Sequence, residues 1–219
     1  AQGENVIRTG EDIQQGEIVV PAGKILNVAD IGGVLALGIA RVHVTRKPMV
    51  GIISSGDEIV APEMDILPGQ IRDINSYSLA ALIESAGSIP RNYGIIPDQE
   101  KPLLTTAGQA LQECDLVVIT AGSSASKRDL TAGVINKLGQ PGVLVHGVNV
   151  RPGKPTILAA CTPEGAQYPK PVIGLPGNPV SALVIASLFV GPVIERLLGL
   201  ERGRPRPSVP ARLTLNLAS

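Results

Sequence analysis

Three short runs, at 50–54 (Val-Gly-Ile-Ile-Ser), 116–120 (Leu-Val-Val-Ile-Thr) and 172–175 (Val-Ile-Gly-Leu), are almost free of polar side chains, and each gives way to a loop of small residues. A strand wet on one face alternates apolar and polar positions, whereas a run that is apolar throughout is covered on both faces, as in a mostly parallel sheet. Helical patterns follow such strands over 76–86, 101–113, 130–138 and 179–198, and further strands are expected at 143–150 and ending at Ile95-Ile96. Residues 49–200 are therefore expected to form a three-layer α/β/α domain around a mostly parallel sheet. Asn75, Asn178 and Asp129 are candidate helix N-caps, and Gly87 and Gly139 are candidate stops.

The flanks differ in texture. Residues 1–48 hold β-like runs at 5–8, 17–20 and 41–44 and one helical run at 30–37 closed by Gly38, which reads as a small β-rich module. Residues 201–219 begin with the Pro- and Arg-rich Glu201-Arg202-Gly203-Arg204-Pro205-Arg206-Pro207 linker and end in a strand-like run, expected to open a further β domain. The chain begins without an initiator methionine, as a truncated sequence would.

Composition narrows the ligand. With a formal net charge of zero and a pI near 7.0, no global field steers the chain to nucleic acid or to an acidic membrane, so any anion site is local. Aromatic residues make up 2% of the sequence, too few to stack single-stranded bases. Cys114 and Cys161 lie far apart without metal-ligand spacing, and read as buried small hydrophobes of a reducing compartment. The apolar stretch at 180–200 is interrupted by Ser181, Ser187, Gly191, Pro192, Glu195 and Arg196, which favours a core helix over a membrane span and a cytoplasmic protein.

Four segments carry candidate chemistry. The turn Thr120-Ala121-Gly122-Ser123-Ser124-Ala125-Ser126-Lys127-Arg128-Asp129 joins a strand to a helix, where backbone N–H groups, serine hydroxyls and the helix dipole can receive a phosphate. Gly174-Leu175-Pro176-Gly177-Asn178-Pro179-Val180-Ser181 repeats the device, with proline suited to the first helical position. Arg151-Pro152-Gly153-Lys154-Pro155 sets two cations on a loop stiffened by prolines. Ser54-Ser55-Gly56-Asp57-Glu58 and Ile95-Ile96-Pro97-Asp98 put carboxylates at strand ends, where Mg²⁺ could share phosphate oxygens. His43 and His146 sit in strand-like runs, and no GxSxG, HExxH or Walker lysine loop occurs, which disfavours triad or zinc hydrolysis.

In this order the segments resemble the molybdopterin molybdenumtransferase family over about residues 3–217. Gly10-Glu11-Asp12-Ile13 is similar to that family's GEDI turn, Ser55 to Glu58 to its TGDEL, and Asp98 closes a G-x-x-x-D stretch from Gly94. Residues 120–129 follow TGGxSxGxxD, 151–155 follow KPGKP and 174–181 match GLPGNPVS. The resemblance implies insertion of molybdate into adenylylated molybdopterin with release of AMP, a homodimer whose partner completes each active site, and supply of substrate by a molybdopterin adenylyltransferase. It implies Asp12, Glu58, Asp98, Asp129, Arg151 and Lys154 as catalytic residues. Thr120, Gly122, Ser123, Ser124, Ser126, Pro176, Gly177, Asn178 and Ser181 would bind the molybdopterin, and Glu58 and Asp129 the Mg²⁺. Ala121 and Ser126 replace glycines of the pattern, Lys127 stands at a usually acidic position, and Arg151 replaces a lysine. The family's large domain inserted in the N-terminal half is missing. Those departures define the alternative, a molybdopterin-binding sensor or carrier that has lost turnover.

Overall fold

The computed structural model describes residues 6–121, 125–200 and 209–210. In chain order the elements are α1 (Val28–Ala36), β1 (Met49–Ser55), β2 (Ile59–Val60), β3 (Ile71–Arg72), α2 (Asn75–Ser85), β4 (Ile89–Ile96), α3 (Glu100–Glu113) and β5 (Leu116–Ala121). Then come α4 (Ala125–Lys137), β6 (Pro141–His146), β7 (Ile157–Cys161), β8 (Lys170–Pro176), α5 (Pro179–Ile185), a π-helical turn (Ala186–Val190) and α6 (Gly191–Leu197). Six strands form one sheet in the order β4-β1-β5-β8-β7-β6, and β2 and β3 pair separately. Neighbours among β4, β1, β5 and β8 run parallel, whereas β7 is antiparallel to both β8 and β6. This is the mostly parallel three-layer arrangement that the apolar runs predict.

Successive strand residues face opposite sides, and the core divides accordingly. Ile53, Val117 and Ile119 pack with Leu103, Leu111 and Ile135 of α3 and α4. Val50, Ile52 and Val118 pack on the other face with Leu79, Ile83, Ile185 and Ile194 of α2, α5 and α6. A fully buried Ile or Leu side chain contributes about 1.5–3 kcal/mol. An exposed ion pair such as Lys137–Glu100 contributes about 0–1 kcal/mol, so the two apolar clusters hold the layers together. Lys170 closes the C-terminal end of α3 by donating to the Leu111 and Gln112 carbonyls. Both cysteines are buried and unpaired by any disulfide; burial pushes the Cys114 thiol up and that of Cys161 up to about 11, so they serve as apolar filling.

The structure departs from the sequence expectations at specific points. No strand forms among the described residues 6–48, because the β-like runs have no ladder partner there; Val6, Ile7, Ile18 and Val44 stay exposed. The helix of this segment is present as α1, with Asn27 and Asp30 forming a capping box. The strand expected over 143–150 stops at His146, where Gly147 takes φ +96 and the chain turns back into β7, an apolar run that the sequence reading passed over. Asn75 is the first residue of α2 rather than its cap; Asp73 instead accepts from the Ser76 amide. Asp129 lies inside α4, which begins at Ala125. The long last helix opens into a π turn just before Pro192, which has no N–H to continue the α ladder. Residues 179–197 are long and apolar enough to cross a membrane by length and composition, with mean hydropathy 1.8. Their buried face of Ala182, Ile185, Ala186, Val190 and Ile194 is nonetheless part of the sheet's core.

At the amino edge of the sheet Asp115 joins β1 to β5. It accepts from Arg46 Nη1 at 2.7 Å and from the Met49 amide at 2.8 Å, and these donors, Arg46 foremost, hold its carboxyl below 3.8 against the opposing effect of burial. A depressed folded value means that the stabilisation is complete above the unfolded pKa and is lost as the pH falls through the folded one. Asp115→Asn is expected to lower the denaturation midpoint at neutral pH, and the gap to the unaltered protein should narrow as the pH drops below about 4. Paired urea titrations at each pH check this.

Candidate functional site

Parallel register makes a rim. Ser55 of β1 pairs with Ile96 of β4 and with Ala121 of β5, and Ala121 pairs with Pro176 of β8, so four strands end level with one another. The connection between β6 and β7 leaves from the same edge, since His146 pairs with Ile157 and Ile157 with Gly174. The loops after 55, 96, 146 and 176 and the end of β5 at Ala121 therefore gather on one side, where α2, α3, α4 and α5 also begin. After β1 the chain moves to β4 on one side, and after β5 it moves toward β8 on the other, the switch that opens a crevice at the carboxyl ends of an open sheet.

Two successive serines at the end of β1 brace the rim from opposite faces. Ser54 Oγ donates to the buried carboxylate of Asp73 at 3.1 Å and lies 2.8 Å from Ser76 Oγ and 3.3 Å from Thr120 Oγ1. Because Asp73 also accepts from the Ser76 amide at 3.1 Å, one buried polar cluster ties β1, β5 and the start of α2 together. Ser55 Oγ donates to Asp98 Oδ1 at 2.7 Å, and the Asp98 amide donates to Asp57 Oδ1 at 3.1 Å, which links the 56–58 turn to the loop before α3. Asn75 Nδ2 reaches the Gly177 carbonyl at 2.9 Å, tying the start of α2 to the loop after β8.

That loop is itself rigid. Asn178 caps α5, its Oδ1 accepting from the Ser181 amide at 3.1 Å and from Ser181 Oγ at 3.2 Å, with Pro179 in the first turn. The 147–156 hairpin is pinned by Gly147 N and Val148 N donating to Thr156 O and Lys154 O, and by Thr156 Oγ1 donating to Gly153 O at 2.6 Å. Gly153 lies so close to α5 that a Cβ there would sit 2.4 Å from Ile185 Cδ1. Arg151 and Lys154 project from this anchored hairpin as exposed cations.

The candidates thus fall into distinct places. Glu58, Asp98, Arg151, Lys154, Pro176, Gly177 and Asn178 lie on loops of the rim or at its edge. Thr120 and Ser181 are buried, with their hydroxyls on Ser54 and Asn178. Asp129 is exposed one turn into α4. Asp12 occupies an exposed turn of the N-terminal segment, and the structure does not tie it to the rim. Gly122, Ser123 and Ser124 lie outside the described residues, as does the side chain of Ser126. The backbone at Ser126 is helical, so serine in place of glycine there meets no left-handed strain. Sequence reading missed Asp73 and took Asn75 only as a helix cap, although a polar pair two residues apart just before an apolar helical run signals a helix start that is held from outside.

Among the described residues no three His, Cys, Asp or Glu side chains gather as a metal cage. Glu58 follows β1, and Asp129 lies one turn into α4, the helix after the neighbouring strand β5; each is a hard oxygen donor of the type Mg²⁺ takes.

Residues 51–196, nearly all of the sheet and the helices that cover it, match the family described as "Probable molybdopterin binding domain". The chain belongs to this family. It is 38% identical over 191 residues to a molybdopterin molybdenumtransferase of Nostoc sp., covering 87% of this chain and 43% of that protein. It is 34% identical to the enzyme of the same name from Haemophilus influenzae, covering 98% of this chain and 51% of that one. Among solved structures, the molybdopterin biosynthesis moea protein from Pyrococcus horikosii superposes with a TM-score of 0.74 at 40% identity, over 88% of this chain and 46% of that chain. The chain spans about half the length of the relatives it matches. Within this molybdopterin-binding domain the rim described above is the end of the sheet from which the 55–58, 94–98, 151–155 and 174–181 segments extend.

Gly153 offers a direct check of hairpin anchoring. With φ at +124 and Ile185 Cδ1 only 2.4 Å from an added methyl group, Gly153→Ala must both strain the backbone and push the hairpin off α5. The expected cost is about 1–3 kcal/mol in chemical denaturation. Gly165→Ala, where nothing lies within 4 Å but φ is +78, should show only the backbone part.

Proposed function

We propose that this chain is the molybdopterin-binding and chemical part of a molybdopterin molybdenumtransferase, which inserts molybdate into adenylylated molybdopterin and releases AMP. The observation that carries the reading is the level rim, which brings the end of β5 at Ala121, the 174–181 loop and the cationic 147–156 hairpin to one end of the sheet. Small-residue turns at strand ends offer main-chain N–H groups to phosphates, and the two cations beside them neutralise further anionic charge.

In this reading the 120–129 and 174–181 loops hold the pyrophosphate that joins pterin and adenylate, and Arg151 and Lys154 hold molybdate next to the dithiolene. A molybdate oxygen attacks the adenylyl phosphorus. The phosphorus–oxygen bond to the pterin phosphate breaks, its electron pair leaves on that phosphate, and the attacking oxygen finally departs with AMP as molybdenum passes to the dithiolene sulfurs. Such a displacement depends on positioning and charge neutralisation more than on proton transfer. The chain's own part is to keep the groups in line: Ser55 and Asp98 fix the 56–58 turn, while Arg151 and Lys154 bind and orient the oxyanion. Glu58 and Asp129 would hold Mg²⁺ together with pyrophosphate oxygens, and the bound ion would lower the charge on the phosphoryl group. A homodimer that brings Asp12 to the partner's rim, and delivery of the substrate by a molybdopterin adenylyltransferase, complete the proposal.

The non-catalytic reading rests on Lys127, a cation where the family pattern is acidic. One experiment separates the two. With adenylylated molybdopterin, molybdate and Mg²⁺, the protein should release AMP, and chelation of Mg²⁺ should suppress that release. Arg151→Ala with Lys154→Ala should raise the molybdate concentration for half-maximal release by about a hundredfold or more, each lost charged contact being worth about 1.5–3 kcal/mol. Molybdopterin binding without AMP release would leave a carrier, and Lys127→Asp would then do little.

A further inference from the structure

The rim reading uses the Gly177–Asn178 loop as a source of main-chain donors, and a residue outside that loop decides which way its peptide faces. Asn75, the first residue of α2, donates from Nδ2 to the Gly177 carbonyl at 2.9 Å across 102 positions of sequence. A trans peptide is planar, with its C=O and N–H pointing in opposite directions. Turning the Gly177 carbonyl toward α2 therefore turns the Asn178 N–H away from α2. The flanks leave this peptide little other control: Pro176 is held in β8 opposite Ala121, and the Asn178 side chain is occupied in capping α5. Asn75 is 9% exposed, so its amide works largely shielded from water. Its own place is set by the buried carboxylate of Asp73, which accepts from Ser76 N and Ser54 Oγ and so couples the first turn of α2 to the end of β1.

We infer that Asn75 is a positioning residue for anion recognition: through the Gly177 carbonyl it holds the Asn178 N–H outward, where that N–H donates to a phosphate ester bound at the rim. The inference rests on the reading of the rim as a phosphate-ester site. It adds a residue that never touches the ligand and that acts by preorganising a dipole, which costs no reorganisation when the ligand arrives.

The test uses AMP as the probe and the 219-residue chain. In the unaltered protein, nuclear magnetic resonance should show the Asn178 amide proton moving downfield on titration with AMP, with the same saturation curve that calorimetry gives. Asn75→Ala should weaken AMP binding about tenfold, the loss of one oriented donor to a charged group. Asn75→Asp should be weaker still at about pH 7.5, because a carboxylate repels the Gly177 carbonyl and draws the N–H back toward α2. Relative to Asn75→Ala it should begin to recover as the pH is lowered to about 4, where a substantial share of an aspartyl carboxyl is protonated and can again donate to that carbonyl. A purely structural role would lower the melting point of both variants without that recovery. AMP binding by the unaltered protein with no movement of the Asn178 amide, or AMP affinities of both variants within about twofold of it, overturns the inference while leaving the rim reading intact. No AMP binding by the unaltered protein removes the rim reading and this inference together.

Discussion

Hydrogen-bonded register between parallel strands is the constraint on which the site depends. Parallel pairing puts every carboxyl end on the same side, and the pairings of Ser55 with Ile96 and Ala121, and of Ala121 with Pro176, make those ends level. A slip of one residue in β1 would exchange Ile52 with Ile53 between the two apolar clusters, and Ser54 with Ser55 between two different polar partners. The burial that stabilises the layers therefore also keeps the rim in register. Packing and site geometry are the same set of contacts read at the middle and at the end of β1.

The polar groups at the rim are organised as braces, each joining two connections that are distant in sequence. Ser54 with Asp73 joins β1 to α2, Ser55 with Asp98 joins β1 to the loop before α3, and Asn75 joins α2 to the loop after β8. Inside a protein an unmatched polar group costs about 1–3 kcal/mol, so a set of matched ones tolerates few alternative arrangements. This rigidity suits a site that recognises charge by main-chain dipoles, which are effective only when they already point at the ligand. The exposed cations on the 147–156 hairpin follow the same logic, since Gly153 and Thr156 fix the base of the loop that carries them.

Much of the architecture was legible in the residues. Runs such as 116–120 and 172–175, apolar on both faces, required a covered parallel sheet, and the Asn178-Pro179 pair required a helix start; both are present as β5, β8 and α5. The places where reading failed share a cause, dependence on a neighbour that the local sequence does not name. The runs at 17–20 and 41–44 have strand-like residues but no partner among the described residues 6–48. Residues 157–161 became a strand because β8 and β6 stand on either side of them. Asp129 was read as a cap from its type, yet α4 starts four residues earlier.

The sequence by itself determined the layered α/β class and the covered parallel strands β1, β5 and β8 with the helices that follow them, because period and composition are local quantities. The tertiary structure alone decided that Thr120 is buried support, that Asp73 bonds Ser54 of β1 and Asn75 the Gly177 carbonyl, and that the Arg151–Lys154 loop is a hairpin fastened to α5. Those facts belong to pairs of residues brought together by strand register, and no single stretch of sequence contains a pair.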